Sequence, residues 1–482
     1  MPNPKTAIRI LGMLLILEGF FMWLSIPVSL FFRENDALEF FFSGLITSAA
    51  GFMGYFLTQK AHLEVTKRDG YVIVTLGWVF FSFFGTLPFI LTGAIPNFTN
   101  AFFETMSGFT TTGASILNNI EELSHGVLFW RSLTQWLGGM GIIVLTLVIL
   151  PVLGIGGMQL FAAEVPGPTP DKLHPRVKQT AIRLWSIYMI FTVAEILLLW
   201  FGPMDLFDAI CHAFTTMATG GYSTKQASIA YWDSPYIHYV IIVFMFLAGT
   251  NFTLSYYGFH FRFKKVFKNE EFLFYIGAII LFTLLIAIGL NITTDNSVEG
   301  SFRNALFQVV SILTTTGYVT DDYLLWKPVF MMLIFLLMFV GGSAGSTGGG
   351  PKVMRIMILV KNSTQELKRL IHPNAVIPVR MNKNAVSNEV VSNVLAFLAF
   401  YVIIAFTSTI IMSALGNDFE TSIGAVAATL GNIGPGIGAV GPAENFYDIA
   451  IVGKWFLSFL MLVGRLELFT VIVLFSPFFW RE

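Results

Sequence analysis

Residues 100–115 read NAFFETMSGFTTTGAS. An apolar piece, 99–110, runs into threonines and a glycine, Gly113. A piece of about 12 residues makes roughly 18 Å of helix. A bilayer takes about 20 apolar residues to cross, so the piece is too short to span and too apolar for a solvated loop. Three further stretches align with it without gaps: DAICHAFTTMATGGYS at 208–223, NALFQVVSILTTTGYV at 304–319 and TSIGAVAATLGNIGPG at 421–436. Their apolar pieces are 206–218, 302–314 and 420–431. The fourteenth place is glycine each time: Gly113, Gly221, Gly317 and Gly434. One copy would read as an ordinary turn. Four copies at matching places, each between two long apolar runs, read as one device used four times.

The runs around them make this a membrane chain. Of 482 residues, 55% are hydrophobic and 12% charged, against about 25% charged in soluble domains. Candidate spans are 10–32, 38–59, 70–93, 128–151, 182–202, 236–260, 272–292, 328–359 (interrupted), 390–415 and 451–477. The expected fold is an all-α polytopic membrane protein with ten transmembrane helices. Two of them are extra N-terminal helices, within 1–69. Four parallel repeats of helix, re-entrant piece and helix then surround one pore, at 70–165, 166–268, 269–387 and 388–482. Irregular backbone at membrane depth survives only beside protein or a cavity, which suits the re-entrant pieces. Ile10–Phe32 is long for a signal peptide and lacks a cleavage pattern, so it reads as a retained helix. The single cysteine, Cys211, excludes an intrachain disulfide and reads as a small packing residue. The histidines show no metal-ligand spacing.

Lysine and arginine gather at the N-terminus and within 60–68, 172–183, 262–268 and 352–383. With those segments inside, both termini are cytoplasmic. Arg33, Arg131, Lys225, Arg303, Lys327 and Lys454 then lie outside, and all four re-entrant pieces enter from outside. Acids lean outward, among them Glu121, Glu122, Asp321 and Asp322. They either form a negative mouth that concentrates cations or are simply tolerated there.

A short helix descending from outside aims its C-terminal carbonyls, with roughly half an elementary charge, at the membrane centre. Glycine then permits the backbone angles that turn carbonyls toward an axis. Rings of such oxygens replace a cation's hydration shell. The candidate lining is Thr111, Thr112 and Gly113; Thr219, Gly220 and Gly221; Thr315, Thr316 and Gly317; Asn432, Ile433 and Gly434. Thr110–Thr112 and Thr314–Thr316 offer hydroxyls besides. No carboxylate sits at these turns, so a large monovalent cation suits them better than Ca²⁺ or Mg²⁺.

This pattern resembles the superfamily of K⁺ transporters that includes the bacterial Trk and Ktr membrane subunits and the plant HKT proteins. The resemblance covers the whole chain, and the N-terminal spans at 10–59 resemble the bacterial TrkH-type subunit. It implies K⁺ uptake across a bacterial inner membrane through a selectivity filter. K⁺ ligands would come from Thr112, Gly113, Gly220, Gly221, Thr316, Gly317, Ile433 and Gly434. Glycine at all four filter places resembles the K⁺-selective members; some Na⁺-transporting plant relatives carry Ser at the first. The sequence departs from the T-V-G-Y-G filter of K⁺ channels: each repeat shares one glycine only, and the fourth, Gly431–Pro435, diverges most.

Residues 341–352, GGSAGSTGGGPK, interrupt the span at 328–359. Gly345 and Gly350 have the separation of a phosphate-binding loop. Pro351 falls before Lys352, Val353 replaces the Mg²⁺-binding hydroxyl, and no strand precedes, so the nucleotide reading fails. The segment resembles the intramembrane loop that blocks the pore below the filter in Trk and Ktr subunits. The gate residues would be Gly341, Gly342, Ser343, Gly345, Gly348, Gly349, Gly350 and Lys352, with Arg465. The alternative is a static hinge or a close helix crossing. Arg465 is a charge inside the last span, a functional candidate by position. It resembles the family's arginine that faces the pore near the loop. Glu467, two residues on, faces another way. Glu18 and Glu195 are expected in buried hydrogen bonds, and Gly138–Gly141 and Gly154–Gly157 in packing or a helix exit.

The expectation is therefore a gated K⁺ transporter and not an enzyme, with K⁺ as the transported ion and no cofactor in this chain. Coupled symport with H⁺ or Na⁺, or a Na⁺-permeable relative, is the alternative. The resemblance implies a homodimer and a cytoplasmic Rossmann-type regulatory subunit that binds NAD or ATP, of the TrkA type. The basic inner segments suit such a partner or anionic lipid. No nucleic-acid partner is expected.

Overall fold

The structure, a computed structural model, describes residues 2–59, 66–141, 177–295, 297–375 and 377–481. The Gly154–Gly157 patch and the end of the candidate span at 128–151 lie outside them. Three helices open the chain: α1 (Pro4–Trp23), α2 (Ser25–Phe32) and α3 (Ala37–Leu57). Gly12 and Gly19 stand two turns apart on α1 and meet Gly51 and Gly44 of α3. A Cβ at Gly12 would lie 2.6 Å from Gly51 O, and one at Gly19 would lie 2.6 Å from Gly44 O. The two helices therefore touch backbone to backbone, which only small residues allow.

An order of long helix, short helix and second helix then recurs four times along the chain. The first set is α4 (Lys67–Phe84) with the one-turn α5 (Leu87–Leu91), α6 (Phe98–Phe109) and α7 (His125–Gly139). The second is α8 (Val177–Trp200), α9 (Leu206–Met217), α10 (Pro235–Ala248) and α11 (Phe252–Phe259). The third is α12 (Glu270–Thr293), α13 (Val298–Leu313), α14 (Pro328–Leu337) and α15 (Val353–Ile371). A small hairpin pairing Arg380–Met381 with Asn384–Ala385 leads into the last set. That set is α16 (Asn388–Ala414), α17 (Phe419–Leu430), α18 (Ile451–Arg465) and α19 (Phe469–Ile472).

The short helices start alike. Asn97, Asp205, Ser297 and Asp418 accept from the backbone N–H three residues on, at 3.1, 2.7, 3.0 and 2.6 Å. Each side chain satisfies one of the free donors at a helix start. The Thr421 N–H bond holds the exposed Asp418 carboxyl below its ordinary range. α13 begins earlier than the apolar piece at 302–314 suggests, because Ser297 supplies its cap.

Among the described residues, six helices are long and apolar enough to cross a membrane, or eight if each bent pair counts as one span. Nine of the ten candidate spans read as unbroken in the sequence, and the described helices break some of them. α10 and α11 meet at 109°, and α18 bends by 112° into the helical segment that begins with α19. α7 ends at Gly139, and α14 gives way to 341–352. Thus the second helix is broken in the second, third and fourth sets, as far as the described residues show. Only the third break was visible in the sequence. At 249–251 the breaker is a lone glycine followed by Asn251, whose side chain caps α11 through Thr253 N. At 466–468 there is no glycine, and Glu467 and Leu468 themselves take left-handed φ of 56° and 45°.

One apolar core joins the N-terminal helices with the first and last sets, and a second joins the middle two. Ile280, Leu284 and Ile288 on α12 and Ile403, Phe406 and Ile410 on α16 face outward, as lipid-facing helices require.

Gly19→Val places a branched side chain in the α1–α3 contact. Overpacking of this kind costs about 1–3 kcal/mol. The expected outcome is a lower melting temperature of the purified protein in detergent, followed by size-exclusion chromatography.

Candidate functional site

The C-terminal ends of the four short helices share one turn. In α6, Thr111 N donates to Gly108 O at 3.0 Å and Thr112 N to Ser107 O at 2.8 Å. The same bonds run from Thr219 and Gly220 to Thr216 and Thr215, and from Thr315 and Thr316 to Ile312 and Ser311. Asn432 and Ile433 repeat them onto Thr429 and Ala428. This is a Schellman ending, which puts a left-handed residue just past the helix and usually glycine there. Here the residues are Thr111, Thr219, Thr315 and Asn432, with φ of 51°, 52°, 61° and 51°. A side chain held in that region stores strain, and such strain gathers at functional positions. Two residues on, Gly113, Gly221, Gly317 and Gly434 are left-handed too, at 82°, 75°, 80° and 101°.

The glycines close a ring. A Cβ on Gly113 would strike Gly220 O, one on Gly221 would strike Thr316 O, and one on Gly317 would strike Ile433 O. One on Gly434 would come within 3.0 Å of Thr112 O. Each turn thus abuts the carbonyl of the next, and the fourth returns to the first. The Thr110 and Thr112 hydroxyls bond each other at 2.8 Å, as do those of Thr314 and Thr316. Thr112 also accepts from Asn432 Nδ2 at 2.9 Å. These hydrogen bonds brace the turns. Thr111 Oγ1 and Asn432 Oδ1 are buried without a hydrogen bond.

A charged pair braces the ring from behind. Arg131 on α7 bonds Glu104 on α6 at 2.7 Å and Ser223 O at 2.8 Å. Its guanidinium lies 3.6 Å from the Tyr222 ring centre. Tyr222 Oη donates to Glu104 O at 2.7 Å, and Gln135 Nε2 donates to Gly220 O at 2.8 Å. Tyr318, at the matching place of the third set, reaches His212 O on α9 at 3.1 Å. Arg131 was expected only on the outer side of the membrane, and Glu104 was not singled out. The signal was there: an acid inside a half-helix and a base inside the next helix need each other.

Residues 341–352 lie beneath the turns, buried throughout except half-buried Gly345. Thr347 Oγ1 donates to Met217 O at 3.0 Å, at the end of α9. Ser343 N donates to Gly249 O at 2.9 Å. Gly349 N donates to Thr315 Oγ1 at 2.6 Å, so the segment holds one turn by its side chain. A Cβ at Gly348 would lie 2.7 Å from Thr314 O. Gly341, Gly345 and Gly350 take left-handed φ, as does Lys352 at 76°. Lys352 Nζ bonds Gly348 O, and Val353 N closes back on Gly342 O at 2.9 Å.

Arg465 joins this segment to the first set. It donates to Thr347 O at 2.7 Å and to Gly138 O and Gly139 O at 2.6 and 3.0 Å. Glu467 pairs with Arg355 on α15, although it lines one cavity together with Arg465. Gly138 does serve packing, because a Cβ there would strike Phe109 O. Two cavities flank the site. One of about 80 Å³ is lined by all four ring glycines, with Arg131, Lys225 and Glu444 as its charged residues. Glu121, Glu122, Asp321 and Asp322 do not line it. The other, about 90 Å³, is lined by Gly345, Gly348–Gly350, Lys352, Arg465 and Glu467. Glu18 and Glu195 were expected in hydrogen bonds; both are buried, and among the described residues neither carboxylate has one of standard geometry. Among the described residues no cluster of His, Cys, Asp and Glu could hold a metal ion.

Four helix ends that meet in a ring between two cavities, in a chain of apolar helices, point to a multi-pass membrane protein. The TrkH family, described as a cation transport protein, matches residues 37–482. The chain belongs to that family. It is 44% identical over 486 aligned residues to the Trk system potassium uptake protein TrkH of Escherichia coli K12, covering 98% of this chain and 99% of that one. The Trk system potassium uptake protein TrkG of the same strain is 35% identical, over 96% and 97%. The crystal structure of the potassium transporter TrkH from Vibrio parahaemolyticus superposes with a TM-score of 0.90 at 39% identity, over 99% and 100%.

Arg131→Ala leaves Glu104 buried without its partner. Loss of one member of a buried pair costs about 3–5 kcal/mol. The expected outcome is a markedly lower melting temperature than wild type. The double variant Glu104→Gln with Arg131→Met should lose less.

Proposed function

We propose that this chain takes up potassium as the membrane subunit of a Trk system, through a filter made by the four turns. The observation that carries this reading is the closed ring, in which each left-handed glycine abuts a carbonyl of the next turn. It supports ten spans, two N-terminal and eight in four parallel repeats around one pore. Thr111 Oγ1 and Asn432 Oδ1 are buried acceptor oxygens available to a cation. K⁺ would be bound by carbonyls of Thr112, Gly113, Gly220, Gly221, Thr316, Gly317, Ile433 and Gly434. Residues 341–352 would act as the gate beneath, held shut by Arg465. Both termini would be cytoplasmic, in the bacterial inner membrane. α15 carries Lys361, Lys368 and Arg369 with exposed Leu367, Leu370 and Ile371. That surface suits a regulatory nucleotide-binding subunit or a second copy of this chain.

Coupled symport with H⁺ has one observation in its favour. Glu195 is a buried carboxylate beside Thr216, near the foot of the second turn, with no hydrogen bond of standard geometry. Reversal potentials in proteoliposomes separate the two readings. A K⁺ conductance follows the K⁺ gradient alone, whereas symport shifts with an imposed pH gradient.

Gly113→Ser tests the filter. Serine resists a φ of 82°, and its Cβ strikes Gly220 O. The K⁺/Na⁺ flux ratio should fall by up to about tenfold, equal to about 1.4 kcal/mol of preference. An unchanged ratio with normal membrane insertion would remove Gly113 from the ion path.

Deleting Ser343–Gly349 tests the gate, and so does Arg465→Ala, which removes the donor to Thr347 O. Both should raise basal K⁺ flux into proteoliposomes. Unchanged flux from well-inserted protein would leave the segment a hinge.

A further inference from the structure

Gly220 is the odd residue of the ring. Its neighbours Thr219 and Gly221 are left-handed, but Gly220 itself is not. No backbone angle therefore requires glycine there. The matching residues are Thr112, Thr316 and Ile433, all β-branched and fully buried. Such side chains are stiff about χ1 and fill the space behind the turn. At Gly220 that space is already filled. The three atoms nearest a Cβ built there all belong to the Gln135 side-chain amide, with Nε2 at 2.7 Å.

Gln135 lies on α7 in the first set, one turn beyond Arg131, and is completely buried. Its Nε2 donates to Gly220 O at 2.8 Å, and its Oε1 accepts from Tyr222 N at 3.1 Å. The amide thus spans the ring glycine Gly221 and holds the backbone on both sides of it. Arg131 holds Ser223 O from the same helix. Gly220 O is also the atom that a Cβ on Gly113 would strike, so the carbonyl Gln135 fixes is a contact between the first and second turns.

We infer that Gln135 is a positioning residue for selectivity: its amide takes the place of the β-branched side chain that the other three turns carry. The inference rests on the filter reading above. Gln135 and Gly220 then form a complementary pair, each permitting the other. Removing the amide leaves Gly220 O and Tyr222 N unheld, and the second turn loosens. Adding a side chain at 220 expels the amide, with the same result. Making both changes returns to the arrangement of the other turns. Valine is the suitable residue at 220. It has the shape of threonine without a hydroxyl, and the second turn has Ala218 where Thr110 and Thr314 receive that hydroxyl in the first and third.

The experiment compares K⁺ and Na⁺ flux in proteoliposomes for wild type, Gln135→Ala, Gly220→Val and the double variant, with Gly113→Ser as reference. Each single change should lower the K⁺/Na⁺ ratio by about two- to tenfold, the size of one buried hydrogen bond. The double variant should recover most of that loss. Gln135→Met keeps the volume and removes both bonds; it should insert normally and still lower the ratio. Melting temperature is followed in parallel, since a merely structural role would lower stability without moving the ratio. Singles that leave the ratio unchanged overturn the inference, and so does a double variant with the two losses added. A changed ratio for Gly113→Ser with none for Gln135→Met rejects Gln135 and keeps the filter. No change in either rejects both.

Discussion

The structure depends on one steric constraint, the backbone-to-backbone contact between successive turns. Each of the four left-handed glycines faces the carbonyl of the next turn with no space for a Cβ. Four such contacts fix the distance of every turn from the common axis. The short helices must therefore end at one depth, and their matching N-caps and Schellman endings set that depth from both sides. Side chains cannot adjust the ring from within, so the adjustment lies behind it. The hydroxyl pairs of the first and third turns, the Asn432 bridge to Thr112 and the Gln135 amide each hold a turn from its outer side.

Part of this was legible in the sequence, for definite reasons. The short helices stood out because a piece of about 12 apolar residues fits neither a span nor a loop. The ring glycines stood out because left-handed backbone in a crowded place admits little else. The residue two places earlier was not legible as left-handed. Rules for helix ends place glycine there, while this chain uses Thr111, Thr219, Thr315 and Asn432. The turn imposes that angle through its two hydrogen bonds and the packing around it. The breaks at 249–251 and 466–468 were hidden for a related reason: the flanking residues are apolar on both sides, and hydropathy does not report direction. Glu104 and Arg131 left a signal, an acid in one helix and a base in the next, but the contact between the two helices was not itself written in the sequence.

The buried segment at 341–352 follows from what the helix ends leave open. The last carbonyls of a helix have no partner within it, and several helices end near one place. Met217 O, Ala248 O, Gly249 O, Gly138 O and Gly139 O are such acceptors. The segment supplies donors to the first three, through Thr347 and Ser343, and Arg465 supplies the last two. In a dry environment an unmade hydrogen bond costs several times what a made one contributes in water. A plain apolar helix could not satisfy these carbonyls, because its own N–H groups are engaged. An irregular, glycine-rich strand can present its N–H groups sideways and pack closely enough to reach them.

Under the proposed gate reading, a segment of this kind leaves its place more easily than a bulky plug would. Its hold consists of individual hydrogen bonds, each worth about 0.5–1.5 kcal/mol net because water can replace it. Ser343, Ser346, Thr347 and the glycines bury little apolar surface, so leaving the axis exposes little to water. The carbonyls it releases would then face a water-filled path below the ring, which is where a cation needs oxygen. Arg465 differs from the other donors, because its charge is costly to leave in the membrane and it grips Thr347 O and the end of α7 together. Its bonds to Thr347 O and to the end of α7 are therefore ones that water replaces poorly.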